Sequence, residues 1–349
     1  MIVDDKYLKE AEKIAKFFDR PDWVQGGGGN FSIKLNKELM LIKASGFSFG
    51  EISRTEGLVV VNQAKTKKYF LKILKNKFSL IQENLSNQKI AKLTFNFLPD
   101  KKLKASIETG FHSFLGKYVV HTHSVYANLV NCSAKPEELL KKIFKNSQDF
   151  VFVKYQNPGL NLTKGIKREV TSYFKLKKTL PKVIFLKNHG LIVNGQTLAE
   201  CFDVYLKFDR ALKKYFKLLA YPRLKIVNRG EVFLSQTVFL KKYLKTQADY
   251  SKIFDPILFP DQVVYLNGKI KKLPEGIIIN EKILLAKNNF SYRASLKESK
   301  TIEEIILAYF YLRYILQKNN LKFTILSRLQ ANFIKNMDSE KYRKALLNE

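Results

Sequence analysis

The chain has 349 residues, 46% hydrophobic and 13% aromatic, with a formal net charge of +31. That much apolar material excludes a disordered chain, and the length suits one or two domains. The charge raises nucleic acid as a partner, but 52 lysines against 10 arginines, spread over the whole chain, read as a solvated surface.

No zinc-finger spacing or other recognition motif accompanies that charge, so no specific nucleic-acid partner is expected. The opening Met1-Ile2-Val3-Asp4-Asp5-Lys6 lacks the basic segment and apolar run of a secretory leader. No run of about 18 apolar residues is present to span a bilayer. The stretch 302–316 comes nearest, yet Glu303, Glu304 and Arg313 interrupt it, and it reads as an amphipathic helix. A cytoplasmic protein without membrane contact is expected. Cys132 and Cys201 stand far apart, outside any Cys-x-x-Cys pattern, and read as buried thiols of a reducing compartment.

In chain order, Leu8, Ala11, Ile14, Ala15 and Phe18 fall at helical spacing and predict a helix over 6–18. Four glycines, Gly26 to Gly29, break it and lead into a strand over 31–35. A hairpin partner follows over 39–44 and another strand over 58–62. A polar helix is predicted over 69–92, a helix over 106–115 and a buried strand over 117–122. Next come a helix over 137–145, a strand over 150–155 and a helix over 165–174. Strands over 183–187 and 191–193 flank Asn188-His189-Gly190, where Gly190 permits an unusual backbone angle. A long helix over 198–219 runs up to Tyr221-Pro222, a natural boundary. Beyond it lie strands over 263–266, 276–279 and 283–286, and helices over 301–317, 325–335 and 339–347.

Only four histidines occur, and all sit in two short motifs: His112, His121 and His123 in the stretch that opens at Ser106, and His189 in Asn-His-Gly. His121 and His123 are two apart on a predicted strand, so both imidazoles point to one face and can reach one ion. Three histidines that leave a position for water or substrate form the catalytic kind of zinc site. Glu108 is the candidate for the remaining chemistry, since a carboxylate beside zinc can ligate it or carry protons. His112, four residues on, shares a predicted helix face with Glu108 and reads as a structural partner of the site, with a ligand or an acid as the alternative. Gly28-Gly29-Asn30 and Ser45-Gly46 are turns whose backbone N–H groups can face an anion, and Ser106 adds a hydroxyl. Neither matches a P-loop or a dinucleotide fingerprint.

These segments together resemble the class II aldolase/adducin family, which includes zinc-dependent fuculose- and rhamnulose-phosphate aldolases. The resemblance rests on residues 25–32, Ile42-Lys43-Ala44-Ser45-Gly46, 106–112, 119–123, 155–160 and 186–190, in the family's order, and covers roughly residues 7–220. The final Asp338-Ser339-Glu340-Lys341-Tyr342-Arg343-Lys344 is similar to the end of a longer subgroup of sugar aldolases. By this resemblance His121, His123 and His189 are ligands of one zinc ion per subunit, and Glu108 is the acid/base. Asn30, Ser45, Gly46 and Ser106 are implied as the phosphate cradle. The stretch from Glu108 to His121 is shorter than in fuculose-phosphate aldolase.

The fold so implied is three-layer α/β/α: a mixed, mostly antiparallel sheet over 1–222, then a smaller α/β extension over 223–349. The activity implied is cleavage or formation of a C–C bond in a sugar phosphate through a metal-stabilised enediolate. The same ligands serve 4-epimerases and dehydratases, and adducins are non-catalytic scaffolds, which have no use for an open zinc site. The family is commonly oligomeric, often tetrameric, with a tyrosine from a neighbouring subunit as proton donor; Tyr126 and Tyr155 are the nearby candidates here.

Overall fold

The strand Tyr118–Thr122 is buried at every position, as expected of a strand central to a sheet covered on both faces. The computed structural model describes residues 2–73, 78–97, 103–145, 147, 149–247, 250–274 and 276–347. Among these, eight strands form the first sheet: β1 (Asn30–Lys34), β2 (Leu39–Lys43), β3 (Leu58–Asn62), β4 (Thr94–Phe95), β5 (Tyr118–Thr122), β6 (Phe150–Val153), β7 (Val183–Leu186) and β8 (Gly190–Gly195). Their order is β4-β3-β2-β1-β5-β8-β7-β6. β6 and β7 pair in parallel and the other neighbours are antiparallel.

Alternation along β5 assigns its two faces. Tyr118 and Val120 join one core with Ala11, Ile14 and Phe18 of the helix Asp5–Phe18 and with Tyr205, Phe208 and Leu212 of the helix Leu198–Tyr215. Val119 joins another with Leu162, Ile166 and Val170 of the helix Leu160–Lys177. Helices therefore cover both faces, and the expected three layers are present.

A second, wholly antiparallel sheet lies in the C-terminal region. It comprises β9 (Ile226–Asn228), β10 (Phe233–Ser235), β11 (Ile270–Leu273), β12 (Gly276–Ile279), β13 (Ile283–Ala286) and β14 (Asn289–Tyr292), in the order β11-β12-β13-β14-β10-β9. The helix Leu296–Lys318 packs against both this sheet and the helix Val125–Asn131, which follows directly on β5. Its apolar residues continue the core that lines β5.

Several elements differ from expectation. The long C-terminal helix is not amphipathic: Thr301, Ile302, Glu303, Ile305 to Leu312, Ile315 and Leu316 are buried, because it is clamped from more than one side. Glu303 tolerates burial because its carboxylate accepts from Ser235, Thr237 and Tyr292. The strand expected over 263–266 is instead part of the helix Pro260–Tyr265, started by proline at its first position. The helix expected over 106–115 shrinks to Thr109–His112. The helix expected over 69–92 is two, Gln63–Ile73 and Leu80–Ala91, with 74–77 outside the described residues. Cys132 and Cys201 are buried free thiols, as expected.

Candidate metal centre

The antiparallel register puts Asn30 of β1 and Ile192 of β8 on either side of His121. His121 is on β5; His123 lies one residue past the strand's end. His189 comes from the turn between β7 and β8. The positive backbone angle of that turn falls on Asn188 (φ 52°), not on Gly190 as expected. Asn188 is held there by its side-chain amide, which donates to Leu258 O at 2.8 Å and Thr324 O at 3.0 Å. Gly190 is required for another reason: a Cβ there would stand 2.1 Å from Thr122 O on the neighbouring strand.

The result is a nearly equilateral triangle of buried imidazoles, with each pair of ring centroids 5.0 Å apart. One ligand atom from each of His121, His123 and His189 lies within 4.8 Å of the others, so this group can hold a metal ion. Burial, opposed by the Glu108 charge, lowers His121 to about 4, and burial together with its histidine neighbours holds His189 well below the usual imidazole range. Both are thus neutral at pH 7, the state in which imidazole ligates metals. His121 Nδ1 donates to Leu191 O at 3.1 Å, and among the described residues its Nε2 has no hydrogen-bond partner. Glu108 Oε1 is likewise without a partner. The Glu108 carboxylate stands 3.4 Å from His121 Nε2 and 3.5 Å from His189 Nε2. Buried polar atoms left unsatisfied around one point are costly, and an ion placed there would satisfy them.

Glu108 is set by a hydrogen-bond chain rather than by a helix face. Asn30 Nδ2 donates to Glu108 Oε2 at 2.7 Å and to Ser106 Oγ at 3.2 Å. Asn30 Oδ1 accepts from His112 Nε2, and His112 Nδ1 accepts from Ser32 Oγ at 2.8 Å. His112 therefore lies outside the ligand group and braces Asn30.

All four residues expected to receive phosphate, Asn30, Ser45, Gly46 and Ser106, line one small cavity together with Glu108, His123 and His189. Its volume is about 40 Å³, room for one or two water molecules. Four further charged residues line it: Lys43, Glu340 and Arg343, which lie in the resembling segments but were given no role there, and Asp261, which had no place in the sequence reading. Burial and the nearby Arg343 charge lower the Lys43 ammonium to about 7. Burial would raise the Asp261 carboxyl, but His123 and Arg343 outweigh it and hold it well below the carboxylate range. Ser339, Glu340 and Arg343 belong to the last helix, Asp338–Ala345, and Leu346 just after it abuts Gly46. A much larger groove of about 1280 Å³ lies alongside and shares Gly27 and Gly46 with the cavity, but it has none of the histidines in its wall. Neither tyrosine candidate lines the small cavity: Tyr126 OH donates to Asp22 at 3.0 Å and Tyr155 OH to Asn157 at 3.2 Å.

Solved structures with a similar course of chain include the N-terminal class II aldolase domain of a conserved protein from Thermoplasma acidophilum, at 22% identity and TM-score 0.48, over 62% of this chain and 96% of that one. An L-fuculose 1-phosphate aldolase is similar at 19% identity and TM-score 0.41, over 61% and 86%. YgbL from Klebsiella pneumoniae, described as a putative aldolase/epimerase/decarboxylase, is similar at 20% and 0.41, over 62% and 92%. No match was found among curated proteins. Residues 9–216, well over half of the chain, match the family described as Class II Aldolase and Adducin N-terminal domain, and the chain belongs to that family.

Proposed function

We propose that this protein is a metal-dependent aldolase that cleaves or forms a C–C bond in a sugar phosphate. The observation that carries the proposal is the triangle of buried imidazoles with the Glu108 carboxylate facing it. His121, His123 and His189 would hold the ion, and an all-imidazole set suits zinc. Once bound, zinc supplies Lewis-acid polarisation of the substrate's carbonyl and hydroxyl oxygens.

The chain's own residues supply the rest. Asn30 occupies one carboxylate oxygen of Glu108 and leaves Oε1 to take a proton from the substrate and return it. We assign phosphate to the Ser45 and Ser106 hydroxyls and the Gly46 backbone, which line the cavity; both N–H groups of the Asn30 amide are taken by Glu108 and Ser106, so Asn30 serves the carboxylate instead. A ketose phosphate is far larger than 40 Å³, so it enters when the segment 338–347 lifts off Gly46 and joins the cavity to the neighbouring groove. We take residues 1–222 as the catalytic portion and 223–349 as its cover, and expect a homo-oligomer, which light scattering at micromolar concentration would contradict by returning a monomer.

The test is a coupled assay for dihydroxyacetone phosphate release from a panel of ketose 1-phosphates, with and without chelator. Release that the chelator abolishes supports the aldolase. No release by zinc-loaded protein refutes C–C cleavage of these substrates and directs attention to epimerase or dehydratase chemistry.

A further inference from the structure

The family match ends at residue 216, yet a carboxylate from well beyond it reaches the histidine cluster. Asp261, in the first turn of the helix Pro260–Tyr265, is 1% exposed. One of its oxygens accepts from His123 Nδ1. The other accepts from Arg343 Nη2 at 2.7 Å, and Arg343 Nε stands 3.3 Å from Glu340 Oε2. The carboxylate thus has a donor on each oxygen, one from the histidine cluster and one from the last helix.

We infer that Asp261 is a positioning residue of the metal centre, braced by Arg343, and that the C-terminal region thereby completes the site. A carboxylate on Nδ1 keeps the proton on that nitrogen and presents Nε2 as the ligand atom. His121 is arranged in the same way, with Nδ1 on Leu191 O and Nε2 free. Two of the three imidazoles therefore have their second nitrogen anchored, one by the first sheet and the other by Asp261. Gly28 closes the remaining side of the His123 ring, since a Cβ there would stand 2.8 Å from Nδ1. With Asp261 gone, His123 would keep its place in the chain and lose the group that fixes its tautomer.

The inference rests on the reading that the cluster binds a metal, and its test reads metal rather than turnover. Full-length protein is stripped of metal and titrated with zinc against a chromophoric chelator. Asp261→Asn is expected to weaken binding about 10–100-fold. Wild-type affinity in that variant overturns the inference. Nitrogen NMR of ¹⁵N-histidine-labelled apoprotein gives an independent reading, tractable with four histidines. His123 should carry its proton on Nδ1 in the wild type and lose that single tautomer in Asp261→Asn; a wild-type proton on Nε2 overturns the inference. Should Asp261→Asn fail to fold, Arg343→Met takes its place, with weaker zinc binding expected and unchanged binding counting against the role. Zinc binding that depends on Asp261 in a protein without aldolase activity would sink the reaction and leave this inference standing. A wild-type protein that takes up no metal would sink both.

Discussion

Asn30 Nδ2 donates to Glu108 Oε2 across 2.7 Å, linking the first strand of the sheet to a carboxylate that faces both His121 and His189. The opposite end of the same amide is held by His112, which Ser32 holds in turn. Glu108 is therefore oriented by a relay of three side chains. Asn30→Ala should lower kcat while the bound metal stays near one equivalent. Glu108→Gln should keep the metal and lose about 10²–10⁴ in rate. Turnover at the wild-type rate in Glu108→Gln would remove that residue from the chemistry.

Metal content separates ligands from supports. His121→Ala and His189→Ala should each fail to retain stoichiometric metal after dialysis, as measured by elemental analysis. His112→Ala should retain it, because His112 meets Asn30 and Ser32 instead of the cluster. Full metal in both of the first two variants would dismiss the site.

Glu83 gives a pH prediction with a definite sign. Burial pushes its carboxyl up to about 8, although Leu160 N–H donates to it at 2.8 Å. In the unfolded chain a glutamate titrates at its ordinary value near 4.5. Between those two values the unfolded chain has released a proton that the folded chain keeps, so stability falls as pH rises through this window. Glu83→Gln retains an acceptor for Leu160 and removes the titration. Its denaturation midpoint, relative to wild type, should improve steadily from pH 5 to pH 8; a constant difference would contradict the assignment.

Two glycines should fail in different ways. At Gly28 an added methyl meets the His123 ring at 2.8 Å as well as Gln25 O at 2.9 Å, so Gly28→Ala should weaken metal binding in addition to lowering the melting temperature. At Gly190 it meets backbone of the adjoining strand, which cannot swing aside, so Gly190→Ala should cost about 1–3 kcal/mol of stability. Parallel melting curves and zinc titrations distinguish the two; equal melting temperatures for Gly190→Ala and wild type would show that the strands can spread.

Substrate entry should be visible in the last helix. Amide exchange across 338–347 is expected to quicken when a turnover-competent sugar phosphate is added to Glu108→Gln protein, because Leu346 must leave Gly46. Unchanged exchange with demonstrated substrate binding would mean another route in.

Seven of the eight strands of the first sheet were legible because they are long enough to show alternation or continuous burial, and because turn residues punctuate them. The histidine triad was legible from scarcity: a residue used four times and concentrated in two motifs leaves little choice. Shorter pieces escaped. The strands Thr94–Phe95, Ile226–Asn228 and Phe233–Ser235 span two or three residues and carry no period at all. Val263 to Leu266 looked like a strand because a short apolar run fits either state, and Pro260 was the overlooked arbiter. The helix Val125–Asn131 was overlooked for the same reason: every residue is buried, so no polar face marks its turn. Asp261 had no signal to read, being one aspartate 138 positions from the histidine it meets.

The seating of the helix Leu296–Lys318 on the helix Val125–Asn131 has a consequence for how the chain reaches its native state. The surface it covers directly adjoins the His-x-His strand, and it is covered only by residues translated much later. Until then the nascent first sheet carries a helix with one apolar side uncovered, the kind of surface that recruits chaperones or other unfinished chains. Closure across such sequence distances is slow. Stopping the chain after Tyr221-Pro222 would make that transient exposure permanent, and the product should self-associate.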